Sequence, residues 1–129
     1  MLTSPIKALC FLLLATLVGC ASGNNEQQQI EAIAKHRADI LAASLPVEHG
    51  PLTIIQSRSH ANTVELVMLY NGSKPAADLM NSSIHFYCNN TEIRSNLDLG
   101  VEYQITMRTP RGKLLVSQHI SADSCTDNE

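Results

Sequence analysis

The sequence predicts a small α+β domain: an antiparallel sheet of about four to five strands, packed with an N-terminal helix and a second central helix and held by one disulfide. Three observations predict it. Apolar residues recur at three- and four-residue steps over two stretches, Ile30 to Leu45 and Ala76 to Cys88. Apolar and β-branched runs come in two pairs, each joined by a short polar turn, and two cysteines, Cys88 and Cys125, stand in the folding part of the chain.

The chain begins with a segment that is not part of this domain. Lys7 precedes an apolar run from Ala8 to Val18, too short and wrongly flanked for a spanning helix, which reads as a secretory signal. Its end, Leu17-Val18-Gly19-Cys20, resembles the lipobox of bacterial lipoproteins. That resemblance implies that residues 1–19 are removed and that Cys20 becomes the first residue and carries acyl chains on its thiol and amino group. Two or more chains give near-permanent anchoring where one does not. Ala21 follows, where lipoproteins retained in the inner membrane carry an aspartate, so the implied destination is the outer membrane, facing the periplasm. The alternative is an ordinary secretory signal that happens to end in a cysteine.

Removal of residues 1–19 leaves 110 of the 129 residues, enough for one small domain. They carry eight Lys and Arg against twelve Asp and Glu, with no basic run and no aromatic-basic interleaving, so nucleic acid is not an expected partner. Cys10 leaves with the signal and Cys20 takes lipid, which leaves Cys88 and Cys125. In an oxidising compartment these two are most simply a disulfide, two buried thiols being the alternative. Closing their 37-residue separation stabilises the fold by roughly 4 kcal/mol in the chain-entropy model.

Residues 20–28, with Ala21-Ser22-Gly23-Asn24-Asn25 small and polar, read as a lipidated N-terminus and flexible tether to a single domain over 29–129. From about Glu26 the first helix places Ile30, Ile33, Ala34, Ala38, Leu41 and Leu45 on one face and stops before Pro46, which disfavours helical geometry in the residue preceding it. Residues 47–51 form a connector punctuated by Gly50-Pro51. Leu52 to Arg58 and Thr63 to Tyr70 then form a hairpin about the turn Ser59-His60-Ala61-Asn62.

The second helix runs from about Lys74 to Cys88, capped by Ser73, with Pro75 in its first turn and Ala76, Leu79, Met80, Ser83, Phe86 and Tyr87 along its buried stripe. Glu92 to Leu99 reads equally as a short helix or a loop, stopped by Gly100. Val101 to Thr109 alternates apolar and polar as a half-buried strand, and after the turn Pro110-Arg111-Gly112 the chain returns as a strand from Lys113 to Ile120. The tail from Ser121 is polar except for Cys125.

The motifs of chemistry are missing. No two of the five histidines fall at ligand spacing on one predicted element, and no Gly-x-Ser-x-Gly, His-Glu-x-x-His or phosphate-binding glycine loop occurs. Neither an enzyme, a metal nor a cofactor is expected. What stands out is apolar excess: Ile54 with Ile55, Val67 with Leu69, and Leu114 with Leu115 load both faces of the sheet. A groove between helix and sheet could accept an amphipathic helix from a partner, and Ile54, Val67, Leu69 and Leu115 are the candidate contacts. That the chain's own helices fill this space is the competing reading.

Taken together, the cysteine after the signal, the polar tether, the helix closing in Ser44-Leu45-Pro46, the hairpin, the helix ending at Cys88, the strand Gly100-Val101-Glu102-Tyr103-Gln104-Ile105-Thr106 and the terminal Cys125 resemble the pilotins of the AspS (GspS-beta) type, over roughly Ile30 to Cys125. The resemblance implies a non-enzymatic outer-membrane lipoprotein of type II secretion that binds a C-terminal helical segment of the secretin subunit and guides it to the outer membrane. It also implies a Cys88–Cys125 disulfide and lipid on Cys20. A lipid-anchored periplasmic inhibitor, for instance of a cell-wall lytic enzyme, would share size, disulfide and anchor.

Overall fold

Ala34 and Ala38 set the position of the first helix. The computed structural model describes residues 22–126, so the signal segment 1–19, Cys20, Ala21 and the last three residues lie outside the described residues. Helix α1, Ser22–Ala43, lays Ala34 and Ala38, both essentially inaccessible to water, against the sheet, where their small side chains permit close approach. It starts at Ser22, earlier than the expected Glu26. Residues 22–28 are thus helical: Glu26, Gln27 and Gln28 are good helix formers, a hydrogen bond from the Gln27 amide reaches Glu31 one turn on, and the helix runs back through Ser22-Gly23-Asn24-Asn25 despite their low propensity. The chain leaves α1 through a cis Leu45–Pro46 peptide.

Residues expected to be a connector instead form strand β1, Val47–His49, paired antiparallel with β2, Leu52–His60. Gly50, at φ +56°, supplies the left-handed residue that this two-residue turn requires. Strand β3, Thr63–Tyr70, pairs antiparallel with β2 about Ala61-Asn62, and a register shift between Ile54 and Gln56 leaves Ile55 without a partner on β3. Strands β4, Glu102–Arg108, and β5, Leu114–Ile120, form the second hairpin.

The sheet has the order β1-β2-β3-β4-β5 and is mixed. The antiparallel expectation holds for both hairpins and fails where they join: β3 and β4 run parallel, Thr63 facing Glu102 and Leu69 facing Arg108. The reason is the crossover. Helices α2, Ala76–Asn89, and α3, Thr91–Leu99, carry the chain from the Tyr70 end of β3 back to its Thr63 end, so β4 must start beside the start of β3. The segment that read equally as helix or loop is helical because Asn90 caps it, its side-chain oxygen accepting the Ile93 N–H at 3.0 Å, and Gly100 at φ +113° ends it. Pro75, not Ser73, occupies the N-cap of α2, and no side chain caps that end.

The helices and one face of the sheet enclose the core, which includes Val64, Leu66, Met68, Tyr103, Ile105, Met107 and Ile120 from the strands and Met80, Ile84, Tyr87, Ile93 and Leu97 from the helices. The opposite face of β3, expected to need cover, is shielded by a polar lattice. Arg58 pairs with Glu65, Ser117 bonds Gln104 and Thr106, and His119 meets both Glu102 and Gln104, leaving Val67 and Leu69 half-buried beside them. A last turn, α4, Asp123–Thr126, presents Cys125 to Cys88 at the end of α2, and the two form a disulfide with Cα atoms 5.4 Å apart.

Candidate partner-binding cleft

Helix α2 carries two apolar stripes and the core uses only one. Met80, Ile84 and Tyr87 are buried under the helix. Leu79, Ser83 and Phe86 follow a neighbouring line at four- and three-residue steps, and they face a cleft of about 460 Å³ between α2 and the sheet. Its floor is Leu52 and Ile54 of β2 with Met68 of β3, and His49 of β1 closes one end. Ile54 stands directly opposite Met68 in the sheet register, so the floor is a continuous apolar strip across two strands.

The serines shape this space. Ser83 donates to the Leu79 carbonyl at 2.9 Å and Ser82 to the Asp78 carbonyl at 3.1 Å, so both hydroxyls are satisfied within the helix and place no polar demand on an occupant. Their small size leaves open the volume that a leucine would fill. Phe86 stands at the rim with 60% of its surface exposed, its ring edge-on to Tyr87 at a centroid distance of 6.0 Å. A large apolar side chain left in water beside an apolar hollow is the arrangement of a docking surface.

Tyr87, which also lines the cleft, packs its ring at a tilt against Tyr103 with centroids 5.0 Å apart. Burial pushes the pKa of Tyr87 well above the usual phenol value, and the neighbouring Tyr103 adds to this while Arg37 opposes it. Tyr103 is raised for the same first reason, burial, against the pull of Arg37. The phenols are therefore neutral supports of the wall, and Arg37 is held by an ion pair to Glu92 at 2.6 Å.

The structure brings only one of the four candidate contacts to this site. Ile54 lines the cleft. Val67 lies on the other face of β3, in a shallow depression with Ile55, Arg58, Glu65, Thr106 and Arg108, and Leu69 faces the same way two residues on. Leu115 is 40% exposed on β5, away from the residues that line the cleft. Sequence reasoning missed Leu52, Met68 and Leu79 as lining residues and took Phe86 as core. The available signal was the breadth of the apolar surface on α2: Leu79, Met80, Ile84, Phe86 and Tyr87 span more of the helix than one sheet contact buries.

Among the described residues no group of three or more His, Cys, Asp and Glu could hold a metal ion, and no helix is long and apolar enough to cross a membrane.

A family model described as type II secretion system (T2SS) pilotin, S protein, matches residues 26–125. Among solved structures, the chain is similar to the pilotin EpsS of the Vibrio vulnificus type 2 secretion system, at 37% identity and a TM-score of 0.75 over 79% of this chain and 96% of that one. It is similar to the type II secretion pilotin AspS of Vibrio cholerae at 40% identity and the same TM-score, over 79% of this chain and 97% of that one. A Pseudomonas aeruginosa structure at 13% identity and a TM-score of 0.67, over 82% of this chain and 99% of that one, shares the fold alone. Among curated proteins none matches.

Proposed function

The chain belongs to the pilotin S-protein family of type II secretion, and on that premise we propose that its cleft binds a C-terminal helical segment of the secretin subunit and that lipid on Cys20 directs the pair to the outer membrane, where the secretin ring assembles. The observation that carries this reading is the cleft itself, an apolar floor and an apolar helix wall with Phe86 exposed at the rim. An amphipathic helix laid into such a groove buries anchors spaced i, i+3, i+4 and leaves its polar face in water.

The mechanism needs binding and no turnover. On this reading, secretin subunits are prone to associate wherever they first meet. A carrier that covers one amphipathic segment, and is itself routed by acyl chains, couples that association to arrival at the outer membrane. The anchoring half of the proposal rests on the Leu17-Val18-Gly19-Cys20 pattern and on Ala21 after it.

Calorimetric titration of residues 21–129 with the C-terminal segment of the secretin from the same cell tests the binding half. Saturable one-to-one binding with a negative heat-capacity change is the expected result, since apolar surface leaves water on both sides. A folded, disulfide-bonded domain that takes up no peptide would refute the reading and favour an envelope enzyme as the bound partner.

A further inference from the structure

The cations of this chain are divided between the two ends of the sheet. Thr63, Asn62, Gly100 and Glu102 mark one end, where α1 enters: a Cβ placed on Gly100 would lie 3.2 Å from Ile30 of that helix. Tyr70, Leu52 and Arg108 mark the other end, where the cleft lies. Of the described cations, Lys35, Arg37, Arg58 and Arg94 each pair with a carboxylate. Lys74, Arg108, Arg111 and Lys113 have no carboxylate partner among the described residues, and all four lie at the cleft end.

Their placement follows from the topology. Lys74 is fixed at the entry to α2, where the Tyr70 hydroxyl donates to its carbonyl at 2.7 Å, one turn before Leu79 of the cleft wall. Arg111 and Lys113 form the tip of the β4–β5 turn, which the Thr109 N–H closes onto the Lys113 carbonyl at 2.8 Å, and the Arg108 guanidinium donates to the Gly112 carbonyl inside it. Only Glu48 and Asp78 oppose these four cations at this end, whereas the rest of the described chain holds eight carboxylates against four cations. A protein of net charge −3 thus presents a positive end where its apolar cleft also lies.

Resting on the secretin-segment reading above, we propose that the helix seated in the cleft is flanked by acidic residues, and that Lys74, Arg111 and Lys113 attract and orient that acidic flank. Opposite charge beyond one end of a cleft accelerates encounter and fixes the direction of the bound segment, while the apolar contacts supply most of the hold. An acidic polypeptide is favoured over an anionic lipid surface by distance. Along β3, Met68 is about 16 Å from Thr63 at the strand rise, and α1 runs about 12 Å from Ile30 back to Ser22, so the basic end is the end remote from Ser22, the first described residue.

The test uses residues 21–129, the secretin C-terminal segment as probe, and the variant Lys74→Gln/Arg111→Gln/Lys113→Gln, which spares Arg108 because it bonds the turn. The wild-type association rate should fall between about 0.1 M and 1 M sodium chloride, as the screening length shrinks from roughly 10 Å to 3 Å. The variant should associate on the order of tenfold more slowly at the lower salt and lose most of that salt dependence. A wild-type rate indifferent to salt, or a variant equal to wild type in rate and affinity, would overturn the acidic flank and leave cleft binding standing. No uptake of the segment by wild-type protein at either salt would remove the secretin reading and this inference together. Sedimentation of the unlipidated wild type, and not the variant, with phosphatidylglycerol-phosphatidylcholine vesicles would assign these cations to a membrane surface instead.

Discussion

At the scale of single residues, Phe86 and Gly100 illustrate two different constraints. Phe86 is 60% exposed, so its ring contributes little to the stability of the free domain and is available to a partner. Phe86→Ala should therefore weaken secretin-segment binding by about 2 kcal/mol while leaving the thermal midpoint within a degree or two, and calorimetry beside a melting curve separates the two effects. Ile54→Ala should weaken binding as well, whereas alanine at Val67, Leu69 or Leu115 should leave affinity unchanged, because those three do not line the cleft. Gly100 is constrained by backbone and neighbour at once: φ is +113°, and an added Cβ would meet Ile30 at 3.2 Å. Gly100→Ala should lower stability by about 1–2 kcal/mol, seen as a lower urea midpoint with an unchanged slope.

At the scale of elements, what could be read from the sequence depended on how local its cause was. Both long helices, both hairpins and the stop at Gly100 follow from periodicity and turn residues, and the sequence reading contained them. Strand β1 was hidden because three residues carry too little pattern, and its pairing depends on Gly50 and on β2 being present. The parallel join of β3 to β4 was hidden for a different reason: helix-hairpin-helix-hairpin order is compatible with either sense, and only the length and direction of the α2–α3 crossover decide it. The cleft was half visible. Ile54 was among its expected contacts, but strand alternation separates it from Val67 and Leu69, which no count of apolar residues reveals.

Element packing also predicts a pH response. Tyr87 of α2 and Tyr103 of β4 pack across the core, and both phenols are raised by burial. Their stabilising contribution is complete below the unfolded value of about 10. Above it the unfolded chain loses phenolic protons that the folded chain retains, so stability should fall as pH rises from 10 toward the raised folded values. Urea midpoints measured across this range should decline, and Tyr87→Phe should make the decline shallower.

At the scale of the whole molecule, two covalent features are predicted to divide stability from delivery. The Cys88–Cys125 bond ties the end of α2, and so the cleft wall, to the last turn of the chain. Cys88→Ala/Cys125→Ala should cost roughly 4 kcal/mol, read as a lower denaturation midpoint. Cys20→Ser should leave a folded, secretin-binding protein, yet secretin should no longer reach the outer membrane in fractionated cells. Normal delivery by that variant would contradict an anchor-dependent mechanism.

The parallel join has a consequence in time. Each hairpin closes through a few residues, whereas β3 meets β4 only across the 39 positions from Thr63 to Glu102, a slower kind of contact to close. Helix α2 lies within that interval, and the cleft forms between it and β2 and β3. The cleft is thus a property of the joined sheet and its crossover, and neither hairpin holds it alone. On the proposed function, readiness to bind a partner therefore reports a completed sheet.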